Sequence, residues 1–401
     1  MFNKRTRLYS QFNFKNLFHI FSSLFQKKEN FLFNLKNYLH VKNLHLTSQG
    51  RVALFDIVKL IIGNTGKKIF FIAPFTLPEV IYAIKYAGGT VNFIDIDKNT
   101  GLINPEELEK RISKESAAVI ITHLYSNKND LKIFLKRFSG KIKIIEDAAI
   151  NFGATLDNKF VGTLADYGFF SFNLVKNLNT LNGGAIFIKN NYEFTKYVQN
   201  LKKLKFPTTN TLNLILTVLI IKILSNNFFY QLFHYLLNFI YKYKITFILK
   251  KIYPVLFHKF KSDVPKSYKY DFNWKMNNLG VYNLNKVEED LSERRNKAKI
   301  YQKHLSENIV HKFNLFDGEN IFLEYPIILR DSTSLKMHEI LFAHGYDVRH
   351  TWYIDNSLEE GKEQKFKETA YVSKKIFCLP THKNMSEKDI ITICSIINNH
   401  G

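Results

Sequence analysis

The chain reads as an α/β protein built on a mostly parallel central sheet with helices on both faces, and three observations carry that reading. Short apolar runs alternate with helix-like stretches, an acid pair (Glu146-Asp147) closes one of the runs, and Gly50 opens the first helix-like stretch. In order, VALFDIVKLII (52–62) reads as a helix, KKIFFIAP (67–74) as a strand and PEVIYAIKYAG (78–88) as a helix. TVNFIDI (90–96) then reads as a strand, PEELEKRIS (105–113) as a helix and AAVIITH (117–123) as a strand. The strand runs are nearly continuous in apolar residues, as burial on both faces requires. Such an alternation argues for a layered parallel sheet with ligands at the carboxyl ends of its strands. Further on, Ile142, Ile144 and Ile145 lead into Glu146-Asp147, and FFSF (169–172) forms the next run. A Gly-Gly pair (183–184) then leads into another short strand.

At 401 residues the chain exceeds one ordinary core, so two lobes are expected. A hydrophobic fraction of 46% and only 8 prolines exclude a disordered class. Cys378 and Cys394, in apolar segments, read as buried thiols of a reducing compartment and not as a disulfide framework. No Cys/His spacing points to a metal site.

The net charge of +22 is unevenly spread. Residues 1–28 hold six Lys/Arg and no acid, and residues 202–261 hold ten Lys and no acid. The remaining body is close to ordinary in charge, which ranks a nucleic-acid binder last. In the first basic segment Phe14, Leu17, Phe18, Phe21, Leu24 and Phe25 recur at helical spacing. That pattern suits an anionic membrane surface or packing on the chain's own domain or a partner subunit. The second, 207–261, holds long aliphatic and aromatic runs with Lys242, Lys244, Lys250 and Lys251 near its end. It is expected to form a helical hairpin in the membrane interface, with packing inside an oligomer or a true span as the alternatives.

The chemistry centres on Asp147 and on Lys176, 29 residues later. An acid at a strand end and a lysine beyond the next run suit a pyridoxal 5'-phosphate site. A buried carboxylate keeps the pyridine nitrogen protonated, and a lysine amine condenses with the aldehyde. Lysine suits that task because its amine loses its proton when desolvated or placed near other positive charge. At the start of the first helix, the N–H groups of Gly50, Arg51 and Val52 would face a phosphate, helped by the helix dipole.

These segments resemble the DegT/DnrJ/StrS family of pyridoxal-phosphate-dependent sugar aminotransferases, which share the aspartate aminotransferase-like fold (type I). The likeness runs through LTSQGRVAL (46–54), IAPFTLPEVIYAIKYAGGTVNFIDID (72–97) and ITHLYS (121–126). It resumes at FNWKM (272–276), LSERRNKAKIYQKHL (291–305) and AYVSKKIFCLPTHKNMSEKDI (370–390). The resemblance implies a basic arm (1–31), a large cofactor-binding domain (32–206), an inserted hydrophobic and basic helical segment (207–261) and a smaller C-terminal α+β lobe (262–401). It implies Lys176 as the catalytic amine, Asp147 as the pyridinium partner, and Ser171 with the Gly50 turn as the phosphate site. Asn273 would reach the phosphate of a neighbouring subunit, making the active form a homodimer. His123 fits the family pattern, and His350, Trp352 and Tyr353 lie where relatives contact the sugar nucleotide.

Five positions depart from the family. Ile150 stands where relatives carry a glutamine, Leu77 where an aromatic ring commonly stacks on the cofactor, and Leu181-Asn182 where Gly-Glu is usual. Arg51 replaces a frequent threonine. A lysine at 176 argues against the dehydratase branch, which has histidine there. The resemblance therefore implies a cytoplasmic aminotransferase that moves nitrogen from an amino acid such as glutamate to a keto-sugar nucleotide, and the two basic, aromatic segments would hold it at the inner membrane face. The alternative is a pyridoxal-phosphate-fold scaffold or regulator at the membrane that has lost turnover.

Overall fold

The computed structural model describes residues 30–124, 128–205, 263–313, 320–348, 353–358 and 365–401, with single positions between 16 and 22 and between 212 and 243. Its strands are β1 (Leu44–Thr47), β2 (Ile69–Ile72), β3 (Phe75–Thr76), β4 (Thr90–Phe93), β5 (Ser116–Thr122), β6 (Lys143–Asp147) and β7 (Thr155–Leu156). They continue as β8 (Lys159–Phe160), β9 (Tyr167–Ser171), β10 (Gly184–Ile188), β11 (Val310–Lys312), β12 (Glu324–Leu329), β13 (Ile354–Asp355) and β14 (Ile376–Pro380). The six elements expected from 52 to 123 all form, with helices at Gly50–Thr65, Pro78–Tyr86 and Pro105–Arg111.

Seven strands make one sheet in the order β1-β10-β9-β6-β5-β2-β4. The block from β4 to β9 is parallel, and β10 runs antiparallel between β9 and β1. Alternate residues of each strand feed two separate cores. Phe70 and Ile72 pack with the helix Gly50–Thr65 on one face, while Phe71 packs with Phe31, Leu35 and Phe170 on the other. This two-sided burial is why the runs are continuous in apolar residues and not alternating.

The C-terminal lobe is a three-stranded antiparallel sheet, β11-β12-β14, with a core of its own. Cys378 and Cys394 are both buried, unbridged members of that core. Three short contacts fasten the lobe to the large sheet. β13 pairs with β3 through Ile354↔Thr76 and Asp355↔Phe75. Asn356 Nδ2 donates to Pro74 O and Thr76 O, both at 2.9 Å. The Asp95 carboxylate caps the helix Lys367–Lys375, accepting from Glu368 N at 3.0 Å and Thr369 N at 2.9 Å.

The described part of the N-terminal arm packs on its own chain. Asn16 Nδ2 donates to Asn283 Oδ1 (3.0 Å), Ser22 Oγ accepts from Asn278 Nδ2 (3.1 Å), and His19 stacks on Tyr282 with ring centroids 4.2 Å apart. Phe18 points outward, 69% exposed. Ile20 is buried in the core of the large domain, while the amides and imidazole beside it find partners on the helix Asn277–Leu284. The hairpin expected at 207–261 falls outside the described residues apart from scattered positions. Among the described residues no helix is long and apolar enough to cross a membrane.

Candidate active site

A cavity of about 520 Å³ opens between the lobes, at the carboxyl ends of β6 and β9 and the start of the helix Gly50–Thr65. Its wall includes Gly50, Arg51, Leu77, Asp147, Ile150, Ser171, Lys176 and Tyr353. Residues spread over some three hundred positions of sequence therefore meet in one space.

Parallel strands bring the acid and the lysine together. Asp147 is the last residue of β6, opposite Phe169 of β9, and the chain leaves β9 at Ser171 to reach Lys176 through a turn closed by Lys176 N–H on Asn173 O (3.0 Å). Asp147 is 5% exposed and takes a hydrogen bond from Ala149 N–H at 3.0 Å. Burial pushes its carboxyl above the ordinary value of 3.8; the Ala149 N–H, the Lys176 ammonium and His123 pull it back down. The wall thus holds a carboxylate that gains from any cation or N–H donor entering the cavity.

The glycine at position 50 is required by space. A Cβ there would meet Ser171 Cβ at 2.9 Å and Phe170 O at 3.1 Å. The helix start is consequently pressed against the end of β9, next to Ser171. Gln49, the N-cap, makes no side-chain cap, since its amide oxygen accepts from Arg51 Nε. Val52 N–H returns to Gln49 O at 3.1 Å, and the Val52 side chain is fully buried in the core. The expected trio of N–H groups is therefore a pair: Gly50 and Arg51 find no backbone acceptor among the described residues. Two open N–H groups at the positive end of a 16-residue helix suit an anion.

His123 stays out of the cavity wall. Its Nε2 lies 2.9 Å from Glu146 Oε2, with the two side chains 3% and 0% exposed. Glu146 also accepts from the N–H groups of Gly162 (2.9 Å), Leu164 (2.7 Å) and Ala165 (2.7 Å). Adjacent residues of a strand point to opposite faces. Asp147 therefore meets the cavity, while Glu146 turns inward and ties the loop 162–165 to the sheet. Asn273 lies outside its own chain's cavity and accepts from Lys275 N–H at 3.3 Å. His350 and Trp352 fall outside the described residues. Tyr353 lines the cavity with its ring tilted on Phe75, centroids 5.9 Å apart. Leu181 adopts φ 63°, a left-handed conformation natural to glycine, with its side chain buried.

The cavity also holds residues that sequence reasoning did not single out: Gln49, Glu79, Arg294, Asn320, Glu324 and His382. Arg294 belongs to the LSERRNKAKIYQKHL block, where its spacing from Asp290 signals only a helical ion pair.

Comparison with known proteins gives a consistent picture. The sequence model of the DegT/DnrJ/EryC1/StrS aminotransferase family matches residues 19–211 and 254–398. The GDP-perosamine synthase of Escherichia coli O157:H7 is 30% identical over 148 residues, 37% of this chain and 40% of that protein. A UDP-4-amino-4,6-dideoxy-N-acetyl-beta-L-altrosamine transaminase of Campylobacter jejuni is 33% identical over 142 residues, 34% of this chain and 37% of that one. Each of these alignments spans less than half of the curated relative. Among solved structures, Helicobacter pylori PseC, an aminotransferase of pseudaminic acid biosynthesis, superposes with a TM-score of 0.73 at 16% identity over 99% of both chains. An E. coli GDP-4-keto-6-deoxy-D-mannose-3-dehydratase with bound hydrated PLP gives 0.72 at 17% identity, covering 99% of this chain and 100% of the other.

Proposed function

The chain belongs to the DegT/DnrJ/EryC1/StrS aminotransferase family, and from that premise we propose that it is a pyridoxal-phosphate-dependent aminotransferase acting on a keto-sugar nucleotide, with glutamate as donor. The observation that carries this reading is one cavity holding Lys176, the buried Asp147 and a helix start with two open N–H groups beside Ser171. Those features fit the cofactor's three handles: an aldehyde, a ring nitrogen and a phosphate. When bound, the cofactor supplies an aldehyde for the amino group and a ring that accepts electrons released at the substrate carbon.

Each residue then has a defined task. The Asp147 carboxylate would accept the N–H of a protonated ring nitrogen, and burial would strengthen that pairing. The N–H groups of Gly50 and Arg51, with Ser171 Oγ, would hold the phosphate, and the Arg51 guanidinium would add positive charge. Lys176 Nζ would hold the aldehyde end and would serve as the base that moves a proton at the substrate carbon. Leu77 and Ile150 exclude water from the same wall without stacking or hydrogen bonding. Tyr353, on the cavity wall, would contact the sugar nucleotide. Asn273 serves the site of a second copy, which makes the working form a homodimer.

The sugar nucleotides in the relatives' names support an acceptor of that class, and we assign the product to glycan assembly. We assign the enzyme to the cytoplasm, with the basic, aromatic segment 207–261 at the membrane edge; full-length protein wholly soluble at low salt would count against that edge. The reaction is tested by incubating the chain with ¹⁵N-glutamate and a panel of keto-sugar nucleotides. Label appearing in an amino sugar is the expected result. A chain that binds no pyridoxal phosphate and transfers no nitrogen would instead fit the scaffold reading that Leu77 and Ile150 suggest.

A further inference from the structure

Residues 212–253 lie between the two stretches that match the family's sequence model, so they are this chain's own addition to the shared fold. The described positions from 212 to 223 and from 229 to 239 are helical, with a bend at Asn226 between them. Asn226 N–H closes on Ile223 O at 3.1 Å, and Tyr230 N–H returns to Asn226 O at 2.8 Å. One side of this addition rests on the protein. Ile215 packs against the core of the large domain, and Tyr230 is buried. The other side faces outward. Leu212, Leu216, Ile220 and Ile223 are 53–66% exposed, and their steps of four, four and three residues keep them on one helical face. Phe229, Leu236, Phe239 and Tyr243 repeat the pattern at 48–60% exposure, with the Phe239 and Tyr243 ring centroids 4.6 Å apart. Large apolar side chains set in rows toward water mark a surface that something covers.

Charge narrows what covers it. Residues 202–261 hold ten lysines and no acid. A second copy of the chain would bring the same positive field to the contact and be repelled. A bilayer with anionic headgroups offers an apolar layer to the rows and negative charge to the lysines together. The rows take up one face only, Asn213 and Asn226 are exposed beside them, and no described helix is long and apolar enough to cross a membrane. That is the pattern of a helix lying in the plane of the interface, not of a span. We infer that the two exposed rows insert at the headgroup boundary of an anionic bilayer, with the lysines of the same segment pairing with lipid phosphates. This docking face rests on the membrane-edge assignment above, gives it a lipid class and a set of inserted side chains, and is independent of the cavity's chemistry.

The test is flotation of the full chain with vesicles of phosphatidylcholine alone and of phosphatidylcholine mixed with phosphatidylglycerol, at low and at high salt. Binding to the mixed vesicles only, weakened about 10-fold or more by high salt, is the expected result. Leu216→Ser combined with Ile220→Ser takes two exposed side chains from the middle of the first row and should weaken that binding by about 10–100-fold. Affinity for pyridoxal phosphate should hold in the double variant, because neither residue lines the cavity. Equal binding to both kinds of vesicle overturns the anionic docking face, and so does a double variant that binds like the unaltered chain. A chain that ignores vesicles but drops to a smaller oligomer on the double substitution gives the rows to a second copy and overturns the lipid. Binding that resists extraction by alkaline carbonate marks a span and overturns the in-plane placement. Should the double variant fail to fold, the vesicle preference and salt response of the unaltered chain decide. A chain that floats with mixed vesicles but transfers no nitrogen keeps the docking face and sinks the aminotransferase reading; one that transfers nitrogen but never floats does the reverse.

Discussion

Replacing Asp147 with asparagine should move stability and cofactor affinity in opposite directions. The carboxyl is 5% exposed and accepts one backbone N–H, from Ala149 at 3.0 Å. Asparagine has the same shape, keeps an acceptor for that N–H and removes the charge. Burial holds the carboxyl above the ordinary 3.8, so in the cofactor-free chain the ionised form is a cost to the fold. Deleting that buried charge should stabilise the cofactor-free protein by about 1–3 kcal/mol at neutral pH. The sign follows from proton binding. The folded chain holds this proton more tightly than the unfolded one, so wild-type stability falls as pH rises from the unfolded value through the raised folded value, and levels off above it. The variant lacks that fall, and its advantage must grow across the same window. With pyridoxal phosphate present, the variant loses a charge-assisted bond to the ring nitrogen, about 1.5–3 kcal/mol, or about 10–100-fold in affinity. Urea unfolding without cofactor, at acid and at neutral pH, measures the first effect; a fluorescence titration with pyridoxal phosphate measures the second. An Asp147→Asn chain that is less stable without cofactor at neutral pH, or that binds cofactor as tightly as wild type, refutes the reasoning.

Other substitutions probe the rest of the wall. Gly50→Ala puts a Cβ 2.9 Å from Ser171 Cβ and should destabilise by about 1–3 kcal/mol, seen as a lower urea midpoint, while weakening pyridoxal phosphate more than pyridoxal. His123→Ala removes one of the four hydrogen bonds to the buried Glu146 and leaves the three backbone N–H donors, so stability should fall by about 1–3 kcal/mol. Because His123 is off the cavity wall, sugar-nucleotide affinity should hold in that variant; a selective loss would restore His123 to the substrate site. Leu77→Phe returns an aromatic ring to the cavity and should tighten pyridoxal phosphate by about 0.5–1.5 kcal/mol if position 77 faces the ring. No gain on titration would mean that the strand end is turned away.

The parallel sheet was legible because strands buried on both faces leave continuous apolar runs, and β2, β5, β6 and β9 all carry that mark. Asp147 and Lys176 were legible for a related reason: a strand end fixes where its last residue sits, and the next parallel strand must return beside it. What sequence could not resolve was direction. The strand end marks Asp147, but nothing in the letters shows that Glu146 turns inward and takes His123 with it; the pleat of β6 decides that. The helix start forms where the glycine marks it, but helical geometry folds the Val52 N–H back onto Gln49. Arg294 escaped notice because its place in the cavity wall is set by Leu323 and Thr381, which lie far along the chain. The glycine-like turn at Leu181 is likewise a backbone property that the side chain does not announce.

Borohydride reduction of the chain loaded with pyridoxal phosphate, followed by peptide mapping, asks most directly whether this cavity is a cofactor site. A pyridoxyl group fixed on the peptide bearing Lys176, and absent from a Lys176→Ala chain, is the predicted result. A label on another lysine, or none on a protein that has bound the cofactor, would contradict it.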